Sequence, residues 1–318
     1  MAVYTHLGAE DFARLIAEYN VGDLVSAKGI AEGVSNSNWL IETTRGRYIL
    51  TMYERRIDVS QLPFFLGLLD HLAQSGCAVP ATIHDRKGAA YREIDGKAVA
   101  LIEFLPGVSP TRPTPDQAEA VGAALARVHI AGQSFDEKRE NDLAPKDTAA
   151  ILHACDPSVL AGIDGQLTRI AARADDVVAR WPGSLPCSII HSDLFPDNVL
   201  LLDGKVSGMI DFYFAAYDMM AYDLAVTHAA WCFDTNGMNF DQAVGNALLS
   251  GYEAVRPLTS AERGALPILA QGACLRFVAS RAEDWIETPA DAQVLRKDPL
   301  DFLRRWDFYA EKGQAAFA

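Results

Sequence analysis

Hydrophobic positions in the first hundred residues predict a small sheet and two helices. Residues 9–19 carry apolar side chains at helical spacing, and residues 60–74 place theirs on one face before Gly76. Between and after these helices, short apolar runs separated by turn residues predict strands. The predicted strands cover residues 24–30, 39–43, 48–53, 79–84, 91–94 and 97–104.

The pattern becomes helical after Pro106-Gly107, which follows an almost wholly apolar run over residues 98–105. We therefore expect a β-rich N-lobe over residues 1–105 and a larger, mainly helical C-lobe over residues 106–318, an α+β fold. The predicted helices of the C-lobe cover residues 116–129, 147–154, 158–181, 221–233, 240–255, 260–285 and 300–315.

The stretch from residue 189 to residue 213 interrupts the helical pattern with short strands and three prominent polar side chains. Strands are predicted over residues 188–190, 198–202 and 206–212, with Asp203-Gly204 as a tight turn. Asp193 and Asn198 fall in or beside the first loop, and Asp211 ends the last strand. We expect their oxygen atoms to converge on one spot.

Asn and Asp oxygens suit a hard cation such as Mg²⁺. The spacing His191-x-Asp193-x-x-x-x-Asn198, followed by Asp211, is typical of phosphoryl-transfer loops, in which the first Asp faces the incoming hydroxyl group. The alternative is that these residues only form turns and a strand end. His191 is interpreted as structural support for the loop rather than as the base.

Composition narrows the class of protein. The chain of 318 residues is half hydrophobic, so it has enough apolar side chains for a sizeable core. A net charge of −14 argues against binding to nucleic acid or anionic membranes. The five cysteines are scattered, and neither a signal peptide nor a membrane-spanning run is visible. We expect a cytoplasmic protein with reduced thiols, as a monomer or a homodimer.

Four motifs give the chain a family resemblance. They are Leu125-Ala-Arg-Val-His129, the loop from His191 to Asn198, Ile210-Asp-Phe212 and Tyr222-Asp-Leu-Ala225. Together they resemble the aminoglycoside phosphotransferase and choline kinase branch of the protein-kinase-like fold, over nearly the whole chain. The resemblance implies a two-lobed kinase.

Three further stretches are similar to the members of that branch that phosphorylate L-homoserine. They are Tyr48-Ile-Leu-Thr-Met-Tyr-Glu54, Ile210-Asp-Phe-Tyr-Phe-Ala215 and Ala230-Trp-Cys-Phe-Asp234. This similarity implies ATP- and Mg²⁺-dependent phosphorylation of the side-chain hydroxyl group of L-homoserine, giving O-phospho-L-homoserine for threonine biosynthesis. The alternatives are a kinase for choline, ethanolamine, hydroxylysine or an aminoglycoside, and a non-catalytic nucleotide-binding pseudokinase.

The resemblance also implies roles for individual residues. Asp193 would be the catalytic base, and Asn198 and Asp211 would hold magnesium. The turn over residues 33–38 would cover the phosphates, and the backbone of residues 103–105 would contact adenine. The nucleotide-binding candidates are therefore Gly33, Ser35, Asn36, Ser37, Glu103 and Leu105.

Candidates for the acceptor site are less sharply defined. A carboxylate needs an Arg or a helix N-terminus, so Arg276 and Arg281 are candidates, with plain surface arginines as the alternative. Asp218 could bind an ammonium group. Tyr213 and Trp231 could wall the pocket, whereas a choline site would need an aromatic cage. Asp223 begins a predicted helix, where capping is its expected role.

One position departs from the family pattern. Thr51 stands where the family usually has a basic residue in the third strand, and residues 60–74 contain no Glu to pair with one. The charge could come from another basic residue. The candidates are Lys28, Arg47, Arg55 and Arg56.

Overall fold

A computed structural model describes residues 7–30, 36–54, 58–287 and 296–318. Within it the chain divides into two compact units. The first comprises Met1–Val108 with Ser207–Tyr213, and the second comprises Ser109–Val206 with Phe214–Ala318.

The first unit contains an antiparallel sheet of six strands in the order β1-β2-β3-β6-β4, with β5 also paired to β6. The strands are β1 (Leu24–Ile30), β2 (Ser37–Thr43), β3 (Gly46–Met52), β4 (Thr82–Ile83), β5 (Arg92–Ile94) and β6 (Lys97–Glu103). The predicted strand over residues 79–84 is reduced to two residues. The Val79 N–H donates to the Cys77 carbonyl oxygen and Pro80 has no N–H group, so neither donates to a neighbouring strand.

Alternation along β6 gives the sheet two apolar faces. Val99 and Leu101 belong to one core, which includes side chains of helix α1 (Ala9–Ala17). Ala98 and Ala100 belong to a second core, which includes side chains of helix α2 (Leu62–Gln74). Because successive side chains of a strand point to opposite faces, one short strand supports both cores.

The second unit is mainly helical. Its helices are α3 (Pro115–Gly132), α4 (Pro145–Ala154), α5 (Pro157–Ile163), α6 (Ile170–Ala179), α7 (Met220–Trp231), α8 (Gln242–Val255), α9 (Ser260–Glu287) and α10 (Leu300–Lys312). All residues of α7 are buried, which is why its sequence shows no polar face. Helices α3 and α8 approach closely, since a Cβ atom at Gly122 would lie 2.1 Å from the Leu248 carbonyl oxygen.

Four short strands lie between α6 and α7. They are β7 (Cys187–Ile190), β8 (Val199–Leu202), β9 (Lys205–Met209) and β10 (Ala216–Met219). Strands β8 and β9 form the predicted hairpin around Asp203-Gly204. Strand β7 pairs with β10, which was not predicted, and the predicted strand over residues 206–212 ends at Met209.

The single helix predicted over residues 158–181 is wrong. Helix α5 ends at Ile163, a 3₁₀ turn spans Gly165–Arg169, and α6 begins at Ile170. Asp164 has extended backbone angles (φ −158°, ψ 140°) and its carboxylate accepts from the Gln166 amide at 2.8 Å. A side chain that accepts a hydrogen bond from the backbone two residues ahead interrupts one helix and favours the beginning of another.

In the described ranges, no helix combines the length and the apolar character needed to cross a membrane.

Candidate active site

The loop that follows β7 is fixed to helix α7 by Asp223. The backbone N–H groups of His191 and Ser192 each donate to the Asp223 carboxylate at 2.7 Å. The expected capping role of Asp223 is wrong, because α7 has Met219 at its N-cap position and Asp223 is fully buried under the loop. Its position one turn into a buried helix brings it to the loop instead.

The carboxylate of Asp223 has a buried partner as well. His129 of α3 lies 2.9 Å from its Oδ2 atom, and the other ring nitrogen of His129 lies 2.8 Å from the Tyr252 hydroxyl group. Burial acts to raise the pKa of Asp223. The interactions with His129 and with the His191 N–H outweigh the effect of burial, so the pKa of Asp223 is lowered. Asp223 therefore stays ionised beneath the loop.

Asp193 lies within this loop, where hydrogen bonds and backbone strain constrain its position. Its N–H donates to the His191 Nδ1 atom at 3.2 Å, and the preceding Ser192 has a positive φ of 68°. Arg276 of α9 donates to Asp193 Oδ1 at 3.3 Å. Burial raises the pKa of the Asp193 carboxyl group, and the positive charge of Arg276 acts against that shift.

The far end of the loop is fixed by Asn198 and by apolar packing. The Asn198 side-chain amide nitrogen donates to the Asp193 carbonyl oxygen at 2.8 Å, and the amide oxygen takes no part in this contact. The Trp231 indole N–H donates to the Leu194 carbonyl oxygen at 2.9 Å. The Phe195 ring packs against Phe277, with ring centroids 5.0 Å apart. The loop is thus ordered along its whole length.

Asp211 belongs to the first unit and is followed by a 3₁₀ turn over Phe212–Phe214. It also has a positive φ, of 67°. The Tyr213 hydroxyl group lies 3.0 Å from that of Tyr53, and the Tyr213 ring makes edge contacts with Tyr53 and Phe65. Burial raises the pKa of both phenols, so both are neutral.

Thr51 has a neutral hydrogen-bond partner. Its hydroxyl group donates to the Asn38 side-chain oxygen at 2.8 Å, and only 3% of Thr51 is exposed. Among the described residues of this sheet, Lys97 of β6 forms an ion pair with Glu54, just beyond β3. Sequence reasoning missed this pair because the two residues are brought together only by the pairing of β3 with β6. Arg47, one of the residues considered for this charge, lies over the Phe104 ring, 4.4 Å from its centroid.

The nucleotide-binding candidates are only partly described. Gly33 and Ser35 lie outside the described residues, as do Arg55 and Arg56. Asn36 is buried, and the Ser37 hydroxyl group donates to Glu54 at 2.8 Å. Glu103 ends β6 and its N–H donates to the Ala81 carbonyl oxygen, and Leu105 follows in the same unit.

The acceptor-site candidates have varied surroundings. Asp218 accepts from the Asn141 side chain at 2.7 Å, and burial raises its pKa. Arg281 donates to Asp301 at 3.0 Å, and Trp231 is 1% exposed. These contacts do not assign a substrate group to any of the candidates. The acceptor roles of Tyr213, Asp218, Trp231, Arg276 and Arg281 stay predictions.

The residue types at positions 198 and 211 suit magnesium. Among the described residues, no group of three or more His, Cys, Asp or Glu side chains could hold a metal by itself. Mg²⁺ usually takes one or two protein oxygens and completes its coordination with phosphates and water. The amide oxygen of Asn198 and the carboxylate of Asp211 are suitable oxygens of this kind.

The sequence model of the phosphotransferase enzyme family matches residues 26–258. The match spans most of the chain, and the chain belongs to this family.

Two relatives narrow the comparison. The chain is 47% identical to the homoserine kinase of Acidiphilium cryptum (strain JF-5) over 316 residues, which is 99% of both chains. It is also 47% identical to the homoserine kinase of Xanthobacter autotrophicus (strain ATCC BAA-1158 / Py2) over 309 residues, 97% of this chain and 96% of the relative.

Solved structures confirm the predicted fold class. An amicoumacin kinase in complex with AMP-PNP, Ca²⁺ and Ami has a TM-score of 0.73 at 14% identity, covering 97% of this chain and 95% of its own. A microcompartment-associated aminopropanol kinase has a TM-score of 0.68 at 18% identity, covering 98% and 99%. At these identities the similarity concerns the fold alone.

Proposed function

We propose that this chain phosphorylates the side-chain hydroxyl group of L-homoserine with ATP and Mg²⁺, giving O-phospho-L-homoserine and ADP. The observation that carries the proposal is 47% identity to two homoserine kinases over nearly the full length of each chain. The ordered loop around Asp193 supports the same class of chemistry, since phosphoryl transfer depends mainly on positioning and electrostatics.

In the proposed reaction, Asp193 orients the acceptor hydroxyl group and takes its proton. Its Oδ1 atom is engaged by Arg276, so Oδ2 is the oxygen that would face the hydroxyl group. The hydroxyl oxygen forms a bond to the γ-phosphorus while the bond from that phosphorus to the bridging oxygen of ADP breaks. Asp193 must lie within hydrogen-bond reach of the hydroxyl group for this role.

Asn198 and Asp211 would hold Mg²⁺, which offsets the negative charge of the β- and γ-phosphates when the nucleotide is bound. The turn with Gly33, Ser35, Asn36 and Ser37 would cover the phosphates, and the backbone from Glu103 to Leu105 would meet the adenine edge. The division into a nucleotide lobe (1–105) and an acceptor lobe (106–318) belongs to the same proposal.

A coupled ADP-release assay with Mg·ATP tests the acceptor. The panel is L-homoserine, choline, ethanolamine, L-serine, hydroxylysine and kanamycin, with Asp193→Asn as the inactive control. We expect turnover strongly favouring L-homoserine, with the product identified by ³¹P NMR. Preferred turnover of another acceptor would contradict the substrate but keep the kinase. ATP binding without any turnover would favour a nucleotide-binding pseudokinase.

A further inference from the structure

Arg276 of helix α9 directs its guanidinium group into the loop that carries Asp193. The residue is only 2% exposed. Its Nη1 atom donates to the carbonyl oxygen of Ser192 and, at 2.8 Å, to the Ser192 hydroxyl group. Its Nη2 atom donates to Asp193 Oδ1 at 3.3 Å. One side chain therefore contacts both the backbone before Asp193 and the carboxylate of Asp193.

A buried guanidinium group is costly unless its charge and its donors are matched. Here Asp193 supplies the opposite charge, and two aromatic rings lie beside the group. The guanidinium carbon is 5.1 Å from the centroid of the Phe214 ring and 4.8 Å from that of the Phe277 ring. Aromatic faces stabilise cations of this kind. The surroundings thus hold the guanidinium group in one place.

The backbone at Ser192 explains why such a contact is needed. A positive φ of 68° is unfavourable for a residue with a side chain and persists only when neighbouring groups enforce it. The Ser192 N–H donates to Asp223 at 2.7 Å, and its carbonyl oxygen accepts from Arg276. Asp223 and Arg276 therefore fix the two peptide groups on either side of Ser192.

Asp223 and Arg276 contact different atoms of the loop. Asp223 contacts the backbone of His191 and Ser192, whereas Arg276 contacts Ser192 and also the carboxylate of Asp193. Asp223 can set the path of the loop, but Arg276 also sets the direction of the carboxylate. A planar guanidinium group is suited to this because its donors have a fixed geometry.

We propose that Arg276 is a positioning residue for Asp193, which holds the Ser192 peptide and Asp193 Oδ1 so that Oδ2 faces the acceptor hydroxyl group. This role differs from the carboxylate-binding role predicted from the sequence, because the donors of Arg276 are directed to the loop. The inference rests on the proposed function, in which Asp193 acts on a hydroxyl group.

The test compares Arg276→Met and Arg276→Lys with Arg305→Met as a matched control. Arg305 of α10 is also buried, at 4% exposure, and donates to the Asp234 carbonyl oxygen at 2.8 Å. It lies over the Phe302 ring, 4.2 Å from the centroid. Both substitutions to Met remove a buried guanidinium group, but only one removes contacts with the loop. Urea unfolding of each variant reports the loss of stability.

Steady-state kinetics then separate positioning from stability and from substrate binding. We expect Arg276→Met to lower kcat by about 100-fold, as small misplacements of catalytic groups do. KM for L-homoserine should stay within about three-fold of the wild-type value, because a residue that acts through Asp193 does not itself bind the substrate. Arg276→Lys should restore part of kcat, since it keeps the charge but loses the fork geometry. Arg305→Met should lose stability with kcat per folded enzyme retained.

Two results would overturn the inference. One is a KM for L-homoserine that rises at least about ten-fold with kcat retained in Arg276→Lys, which would assign Arg276 to the substrate carboxylate. The other is a wild-type kcat in both variants. If Arg276→Met does not fold, Arg276→Lys alone decides between these outcomes.

Failure of the proposed function has a different signature. If the wild-type protein does not phosphorylate L-homoserine, the kinetic test uses whichever acceptor of the panel is phosphorylated. Amide hydrogen exchange of the peptide covering residues 189–198 needs no acceptor at all. Faster exchange in Arg276→Lys than in the wild-type protein and Arg305→Met supports positioning, and unchanged exchange rejects it.

Discussion

The loop around Asp193 and the segment around Asp211 both contain a strained backbone, but the contacts described beside them differ in charge. Each contains a residue with a side chain and a positive φ, 68° at Ser192 and 67° at Asp211. The first is fixed by the buried charged groups of Asp223 and Arg276, which come from two helices. Next to the second, Tyr213 contacts Tyr53 through neutral phenols and aromatic edges.

The difference follows from what each segment has to position. Hydrogen bonds to charged groups are roughly twice as strong as neutral ones and are more strongly directed. Such bonds suit a loop whose carboxylate, in the proposed reaction, faces one hydroxyl group. The contacts described beside Asp211 are neutral, and in the proposed function a bound cation and its phosphates would add order there. The contrast predicts unequal effects of mutation in the two segments.

The largest expected effect is on turnover. Asp193→Asn should lower kcat by about 10²- to 10⁴-fold, because the proton acceptor is lost, while Mg·ATP affinity is retained. Asp211→Asn should instead weaken Mg·ATP binding, since a charged ligand of the cation is removed. ADP release and isothermal titration with Mg·ATP measure the two effects. Full activity of Asp193→Asn would reject the assignment of the base.

The second effect is on stability. Asp223→Ala leaves two backbone N–H groups and buried His129 without their carboxylate, so unfolding in urea should show a loss of about 3–5 kcal/mol. Asp223→Asn keeps the size of the side chain and should lose less. The lowered pKa of Asp223 means that its contribution is present above about pH 4 and is lost as the pH falls further. A change within about 1 kcal/mol at neutral pH would contradict the anchoring role.

The smallest effect is expected in the neutral segment. Tyr53→Phe removes the hydroxyl partner of Tyr213 but keeps the aromatic edge contact. The free energy of unfolding should fall by about 1 kcal/mol, the usual net value of a neutral hydrogen bond. Urea unfolding measures it beside Asp223→Ala under the same conditions. A loss as large as that of Asp223→Ala would show that the two segments do not differ in the predicted way.

Local patterns in the sequence determined most of the elements of this protein. The strand Leu24–Ile30 and the start of the helix at Ser260 are as predicted, and Asp203-Gly204 turns the predicted hairpin. The spacing from His191 to Asn198 indicated a phosphotransferase, and the family match confirms it. Periodicity, turn residues and motif spacing are properties of neighbouring residues, so they can be read without the fold. The roles of Asp193, Asn198 and Asp211 stay predictions.

Only the tertiary structure decided how the loop is supported. Asp223 lies 32 residues from His191, and Arg276 lies 84 residues from Ser192. The pairing of β7 with β10 and the contact between Lys97 and Glu54 likewise join distant parts of the chain. From the sequence, Asp223 looks like a helix cap and Arg276 like a surface or substrate-binding residue. Their contacts depend on which helices pack against the loop, and helix packing is set by side chains that no local pattern relates to one another.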